Sequence, residues 1–307
     1  MPALGSPLFA GYQPGGIFSV VDRSFTTGNI WFVGSTVTGA SNASGYGTSP
    51  TAPFATIDYA VGNCTASNGD VIYVLPGHTE TVSAAAGLDL DVAGITIKGL
   101  GSGTLQPKVD FTTAATADVD IDAANVTIEN IQFEASFADI AAAIDVNATD
   151  CTIRNCRFLS PTTDENALIW ILGATSTTSN RLIVENCWFQ GKDAANTHAI
   201  SLPGTSDGCI VKDCVFHLFA ETAIIGAAGA VTNILIKGNL MQNADTDADA
   251  CISLAASSTG IIAYNGVGAA LAGNATTNIN CSTGCVLIEN YSVDTGDVQG
   301  VLDPIAT

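Results

Sequence analysis

Residues 126–133 read VTIENIQF, and near copies of that octet return along the chain: CTIRNCRF from Cys151, LIVENCWF from Leu182, CIVKDCVF from Cys209, ILIKGNLM from Ile234, IIAYNGVG from Ile261 and VLIENYSV from Val286. A weaker forerunner, ITIKGLGS, starts at Ile95. The fifth residue of each copy serves as a marker and falls on Gly99, Asn130, Asn155, Asn186, Asp213, Gly238, Asn265 and Asn290. The mean step, (290 − 99)/7, is about 27 residues, and a fixed period of that length is the signature of a solenoid.

Each octet reads apolar, variable, apolar, polar, marker, variable, polar, large apolar, so two short strands of period two meet at the marker. The marker is always Asn, Asp or Gly, the residues that best tolerate positive φ, and the chain is expected to turn a left-handed corner there. An Asn pointing inward at such a corner can bond the Asn of the next turn and build a buried polar ladder.

The other columns of the repeat agree. Two positions before the marker stand Ile97, Ile128, Ile153, Val184, Val211, Ile236, Ala263 and Ile288, one inward stack rich in β-branched side chains. Three positions after it, Phe133, Phe158, Phe189, Phe216 and Met241 predict a stack of rings along the axis. One position before it, Lys98, Glu129, Arg154, Glu185, Lys212, Lys237, Tyr264 and Glu289 face outward, with signs that alternate as far as Lys212. Strands with no helical stripe between them predict an all-β, three-faced parallel β-helix of about 27 residues per turn. The competing solenoid, a leucine-rich repeat, needs a leucine-dense consensus that these copies lack.

The chain has 307 residues, of which 47% are hydrophobic and only 12% charged, and the formal net charge is −20. That balance argues against nucleic acid and against anionic membranes, both of which need a basic footprint. Cys156, Cys187 and Cys214 share one repeat position and Cys151 and Cys209 another, as small buried residues would, so the nine cysteines are expected to be free thiols in the core. Cys281 and Cys285 lack a second pair of ligands, and no zinc site is expected. The start, MPALGSPLFAGYQPG, has neither a basic leader nor a long apolar run, which suits assembly in a cytoplasm rather than export.

Four segments follow. Residues 1–30, with Phe9, Tyr12, Phe18 and Phe25 among Gly, Pro and Ser, read as an extended arm too apolar to be a solvated tail. Residues 31–83 hold a strand and a capping segment, residues 84–296 the coil, and residues 297–307 a tail. Longer intervals before Asn130 and Asn186 predict loops around Gly101–Ala117 and Ser160–Asn180. In the capping segment, Pro53 to Ile57 with Ala60 and Val61 suggests a short amphipathic helix, and Asn68, Gly69 and Asp70 lead into a strand, Val71 to Leu75, ended by Pro76 and Gly77.

That segment, TAPFATIDYAVGNCTASNGDVIYVLPGHTETV, resembles the entrance of pectate-lyase-like right-handed parallel β-helix proteins, where a helix plugs the open end of the core. The wording VIYVLPGHTETV resembles in particular the β-helix proteins of tailed-phage virions, of the capsid-decoration, head-fibre or tailspike type. The resemblance implies a virion structural protein, non-enzymatic and homotrimeric, that decorates or projects from the capsid and holds other virion proteins through the arm. The alternative it implies is a tailspike-like depolymerase, a polysaccharide lyase or glycoside hydrolase that binds and cleaves host surface glycan.

Three constellations bear on that choice. Aligning turns puts Asp89, Asp120 and Asp145 in one outward column and Asp91, Asp122 and Asn147 in the next, a solvated acidic face or, failing that, a ladder bridged by Ca²⁺. Asp245, Asp247 and Asp249 imitate an EF-hand opening, but Ala250 and Ala256 stand where Gly and Glu are needed, which leaves a polar loop. Asp164 and Glu165, with Arg181, Trp188, Asp193 and His198 drawn near, would suffice for glycoside cleavage, yet carboxylates are common in so acidic a chain and a contact surface is the plainer expectation. His78 and His217 have no Ser or Cys partner at a defensible spacing. No catalytic residue, metal ligand or cofactor site is therefore assigned from sequence.

Overall fold

The computed structural model describes residue 26 and residues 28–175, 179–245, 250–269, 278–281, 283–292 and 300–301. The strands fall into three sheets that run the length of a parallel coil of about 8 turns. Sheet 1 contains Ile30–Val33, Val71–Val74 and the first half of every octet, sheet 2 starts at Thr79–Val82 and takes the second half, and sheet 3 starts at Leu88–Asp89 and supplies the remaining side. The first lap is thus Val71 to Asp89, and laps are numbered from it. Among the described strands, pairing is parallel except for the last pair, Tyr291–Ser292 with Gly300–Val301.

The interior is built of stacked like residues. Phe133, Phe158, Phe189, Phe216 and Met241 are in direct register, and the rings stack at centroid distances of 5.1, 4.3 and 4.7 Å. Ile97, Ile128, Ile153, Val184, Val211 and Ile236 form the inward β-branched column. Outside, Glu129 bonds both Lys98 (3.0 Å) and Arg154 (2.9 Å), and Lys212 bonds Glu185 at 2.8 Å. Exposed pairs of this kind fix register more than they stabilise. No disulfide is seen among the described residues, as expected, and Cys151, Cys156, Cys187, Cys209, Cys214 and Cys251 are buried.

The corner is real from Asn130 to Gly238: Asn130, Asn155, Asn186, Asp213 and Gly238 all have φ between 53° and 68°. Four details of the sequence reading are corrected. In the last two laps the left-handed residues are Tyr264 and Glu289, not Asn265 and Asn290, because Ile236 pairs with Ile262 and Ile262 with Leu287. The β-branched column therefore continues through Ile262 and Leu287 rather than Ala263 and Ile288. Gly99 is extended, and a Cβ there would collide with the carbonyl oxygen of Asn130 above it.

The third correction concerns the ladder. Asn155 and Asn186 sit at the corner and face solvent. The inward position is one residue later and holds Ile131, Cys156, Cys187, Cys214, Asn239, Asn265 and Asn290, all buried. Asn239, Asn265 and Asn290 form the ladder there: each Oδ1 accepts the N–H of the residue one lap earlier, at 2.9–3.1 Å. The fourth concerns the loops. Lys108–Phe111 and Ile169–Gly173, placed in them by the sequence reading, are strands of sheets 2 and 3.

A second left-handed corner precedes sheet 1, at Gly94, Asn125, Asp150, Arg181, Gly208 and Asn233. The signal was present, since most of these are again Gly, Asn or Asp one residue ahead of the octet. The helix Ile57–Val61 closes the open end of the core with Ile57, Ala60 and Val61 buried, and its N-cap Thr56 accepts the N–H of Tyr59. A solenoid end without such a cap exposes apolar surface and free strand edges. Glu80 ties the cap down: its Oε2 accepts the Ile57 N–H at 3.0 Å and bonds Nε2 of His78 at 2.9 Å, while Nδ1 of His78 accepts the Ser35 N–H at 2.9 Å. His78 and Glu80 are both buried, so this His positions the cap.

Candidate functional site

On sheet 3 the acidic column forms as expected, Asp89 against Asp120 against Asp145, and Asn147 donates its amide to Asp122 at 3.1 Å. Burial, then the charges of Asp118, Asp122, Asp145 and Asp89, pushes the Asp120 carboxyl up to about 6. Burial and the charges of Asp118 and Asp122 raise Asp145 to about 6 as well. Asp89 is raised by burial and by Asp91, Asp122 and Asp58. Among the described residues no group of three His, Cys, Asp or Glu is arranged to hold a metal ion. Beyond lap 3 the same column becomes uncharged: Leu172, Ser201, Gly226, Ser253 and Asn280.

The set suggested for glycoside cleavage does not converge. Arg181 lies at the corner ahead of sheet 1 and makes a two-pronged bond to Asp150, at 2.5 and 2.7 Å. Trp188 begins a strand of sheet 2, next to the opposite corner, with the Arg157 guanidinium 5.0 Å from its ring. Asp164, Glu165 and Asp193 occupy the loops between sheets 2 and 3, where Thr162 Oγ1 bonds Glu165 and Asp193 Oδ1 accepts the Ala195 N–H. His198 opens a sheet 3 strand, and burial lowers its pKa. The candidates are thus spread over three edges of the prism. Asp245 is buried, while Asp247 and Asp249 lie outside the described residues.

The sequence reading singled out Trp188 but missed the column to which it belongs. On the outer face of sheet 2 the register runs Lys108, Gln132, Arg157, Trp188, Val215, Leu240, Gly266, Tyr291. Trp188, Val215, Leu240 and Tyr291 are 47%, 40%, 50% and 42% exposed. Ile261 and Val286 continue the exposed apolar surface on sheet 1, and Tyr264 stands at the corner between, beneath the Lys237 ammonium. The residue two positions after the corner, read along all laps, would have revealed it. Isolated apolar side chains on a surface mean little, whereas a contiguous run of them marks a contact.

No protein-family model matches the sequence, and no curated protein does. Among solved structures it is similar to a rhamnogalacturonan lyase, with a TM-score of 0.56 and 12% identity over 88% of this chain and 75% of that one. It is also similar to Escherichia coli ybhc, with a TM-score of 0.53 and 12% identity over 95% and 90%. The tailspike protein of E. coli bacteriophage HK620, solved with a pentasaccharide, gives a TM-score of 0.45 at 14% identity, and the chain spans about half its length, 52%. The protein therefore has a parallel β-helix fold, as the lyase and ybhc do. At such identities the likeness is one of fold, and a fold of this kind hosts unrelated activities.

Proposed function

We propose that the chain is a non-enzymatic structural protein of a tailed-phage virion, a homotrimer of parallel β-helices that decorates or projects from the capsid. The observation that carries this reading is the exposed apolar column from Trp188 to Tyr291, aligned on a rigid sheet. Such a surface suits a lasting contact with protein better than catalysis in water. The dispersal of Asp164, Arg181, Trp188 and His198 over three edges supports it, as does the phage-like wording of the entrance segment. Residues 1–30, most of which lie outside the described residues, would hold the particle, and the acidic chain assembles there without nucleic acid or membrane.

The test is the protein content of particles purified through a density gradient, with the purified chain assayed in parallel on host surface polysaccharide. The chain is expected in fixed stoichiometry with the major capsid protein, and the polysaccharide is expected to stay intact. Absence from the particles, or glycan cleavage that Asp164→Asn abolishes, overturns the reading.

A further inference from the structure

The last corner of the coil holds two thiols unlike those of the core. Among the described residues, sheet 3 ends at Ile279–Asn280 and sheet 1 at Cys285–Ile288. Asn280 pairs with Ser253, so Cys281 stands one lap beyond Leu254, and Cys285 pairs with Gly260. Earlier laps turn these positions inward, where Ala227, Leu254 and Ile234 are buried. On the last lap both cysteines are only half-buried.

A shortened corner brings the two together. To pass from sheet 3 to sheet 1 the chain takes seven steps from Ala227 to Ile234, six from Leu254 to Gly260, and only four from Cys281 to Cys285. Their sulfurs lie within hydrogen-bonding reach of each other, and burial together with the neighbouring Cys285 pushes the Cys281 thiol up to about 11. The Cys285 thiol also donates to the Ser258 carbonyl at 3.6 Å. Among the described residues, a cleft of about 440 Å³ whose lining includes Leu254, Asn280, Cys281 and Thr283 reaches the first of the pair. A small reagent therefore has a way in, which it lacks to Cys151, Cys156, Cys187, Cys209, Cys214 and Cys251 in the core.

We propose that Cys281 and Cys285 close to a disulfide when the chain meets a small disulfide compound, and that the bond fastens the last lap at the end opposite the helix cap. One thiolate attacks the compound and expels half of it as a thiol; the other then attacks the mixed disulfide and expels the second half. The two electrons and two protons that the cysteines give up leave with the two small thiols. The sulfurs must draw in to about 2 Å, which half-buried side chains at an open end permit. A reducing compartment keeps the pair open, and an oxidising one closes it. Laps at the end of a solenoid open first, so a bond across the corner between the last strands of sheets 3 and 1 acts where it is most needed. It stands whether or not the chain belongs to a virion.

The test is oxidation of the full-length chain, purified reduced, by oxidised glutathione at mildly alkaline pH, beside Cys281→Ser and Cys285→Ser. Thiols are counted after denaturation, bonds are mapped by mass spectrometry of the digested chain, and hydrogen exchange follows the last lap. The wild type is expected to lose two of its nine thiols and two hydrogens in mass, to retain no glutathione, and to show the bond between Cys281 and Cys285. Exchange in Cys285–Ile288 should then slow about tenfold and recover on reduction, while Thr152–Arg154, several laps away, does not change. Neither serine variant, with circular dichroism melts as a fold control, should lose a pair of hydrogens. A count that stays at nine, a bond that maps to another pair, or glutathione held on Cys281 without ring closure overturns the proposal. A bond that leaves exchange in Cys285–Ile288 unaltered overturns the fastening.

Discussion

The backbone N–H of Cys214 donates to Oδ1 of Asn239 at 2.9 Å, and at that bond the inner column of the coil passes from thiols to amides. The two residue types do the same work. Asn239 donates Nδ2 to the Val211 carbonyl at 3.0 Å, as the thiols of Cys187 and Cys214 point at the Ile153 and Val184 carbonyls at 3.6 and 3.8 Å. Cys214, like Asn239, also receives an N–H from the lap before, since Cys187 N–H reaches the Cys214 sulfur at 3.4 Å. A free thiol here is a small side chain that is both donor and acceptor, which explains why cysteines fill this column in a chain with no disulfide.

It follows that Asn239→Ala should cost about 1–3 kcal/mol, because it leaves the Cys214 N–H buried without its partner. Asn239→Cys should cost about half as much, since a sulfur can accept the N–H weakly, as Cys214 accepts that of Cys187. Denaturant melts of the two variants measure the difference, and equal losses would show that the ladder adds nothing beyond volume.

The acidic column makes stability depend on pH in an unusual sense. A carboxyl raised to about 6 in the folded state from 3.8 resists ionisation, so it weakens the fold at neutral pH and the cost is relieved as pH falls from about 6 towards 4. Asp120→Asn should therefore raise stability at pH 8 by about 1 kcal/mol after allowance for solvent screening, and flatten the profile. Melting temperatures from pH 4.5 to 8 check this, and a less stable variant at pH 8 would contradict it.

Asp70 works in the opposite direction. Burial pushes its carboxyl up, but the N–H groups of Thr65 and Asn29 and the side chains of Asn68 and Asn29 outweigh that and hold it below the ordinary carboxylate range. Its contribution is present above pH 3.8 and is lost as pH falls through the lower, folded value. Asp70→Asn should weaken the fold at neutral pH and make the acid limb of the melting profile below pH 4 shallower, with Glu129 and the other lowered carboxyls supplying what remains.

Among the described residues no three acidic side chains are arranged to hold a metal ion, so removal of divalent cations should leave the coil and its Asp89–Asp145 column unchanged. Melting in EDTA at pH 7 is expected to match melting in Ca²⁺ within a degree, and a fall of several degrees would show a bridging cation.

Glu80 joins the cap to the first lap. Glu80→Ala leaves the Ile57 N–H and Nε2 of His78 without their buried partner, at about 2–4 kcal/mol. Hydrogen exchange should show the loss in Ile57–Val61 and in Val71–Val74 while Thr152–Arg154, several laps away, stays protected. Uniform loss along the coil would mean that the cap does not act locally.

Much of this was legible in the sequence because a coil repeats its demands. Phe133, Phe158, Phe189 and Phe216 announce the stack, and Asp89, Asp120 and Asp145 line up on counting alone. The slip at Tyr264 and Glu289 has a physical origin: Asn suits both the left-handed corner and the inward ladder, and counting cannot tell which one it fills. In the last two laps the ladder takes the Asn, and Tyr and Glu accept the corner. The pair Gly238–Asn239 held the clue, because there corner and ladder are separate residues. The catalytic set failed for another reason: Asp164, Arg181 and Trp188 are close in sequence, but each belongs to a different edge, and neighbours in space are a lap away.

The most direct test is cryo-electron microscopy of purified particles at a resolution that shows side chains. It should reveal rods of about 8 turns on the particle surface, with the rings of Phe133, Phe158, Phe189 and Phe216 stacked along each axis. Particles that contain no such rods would contradict the account.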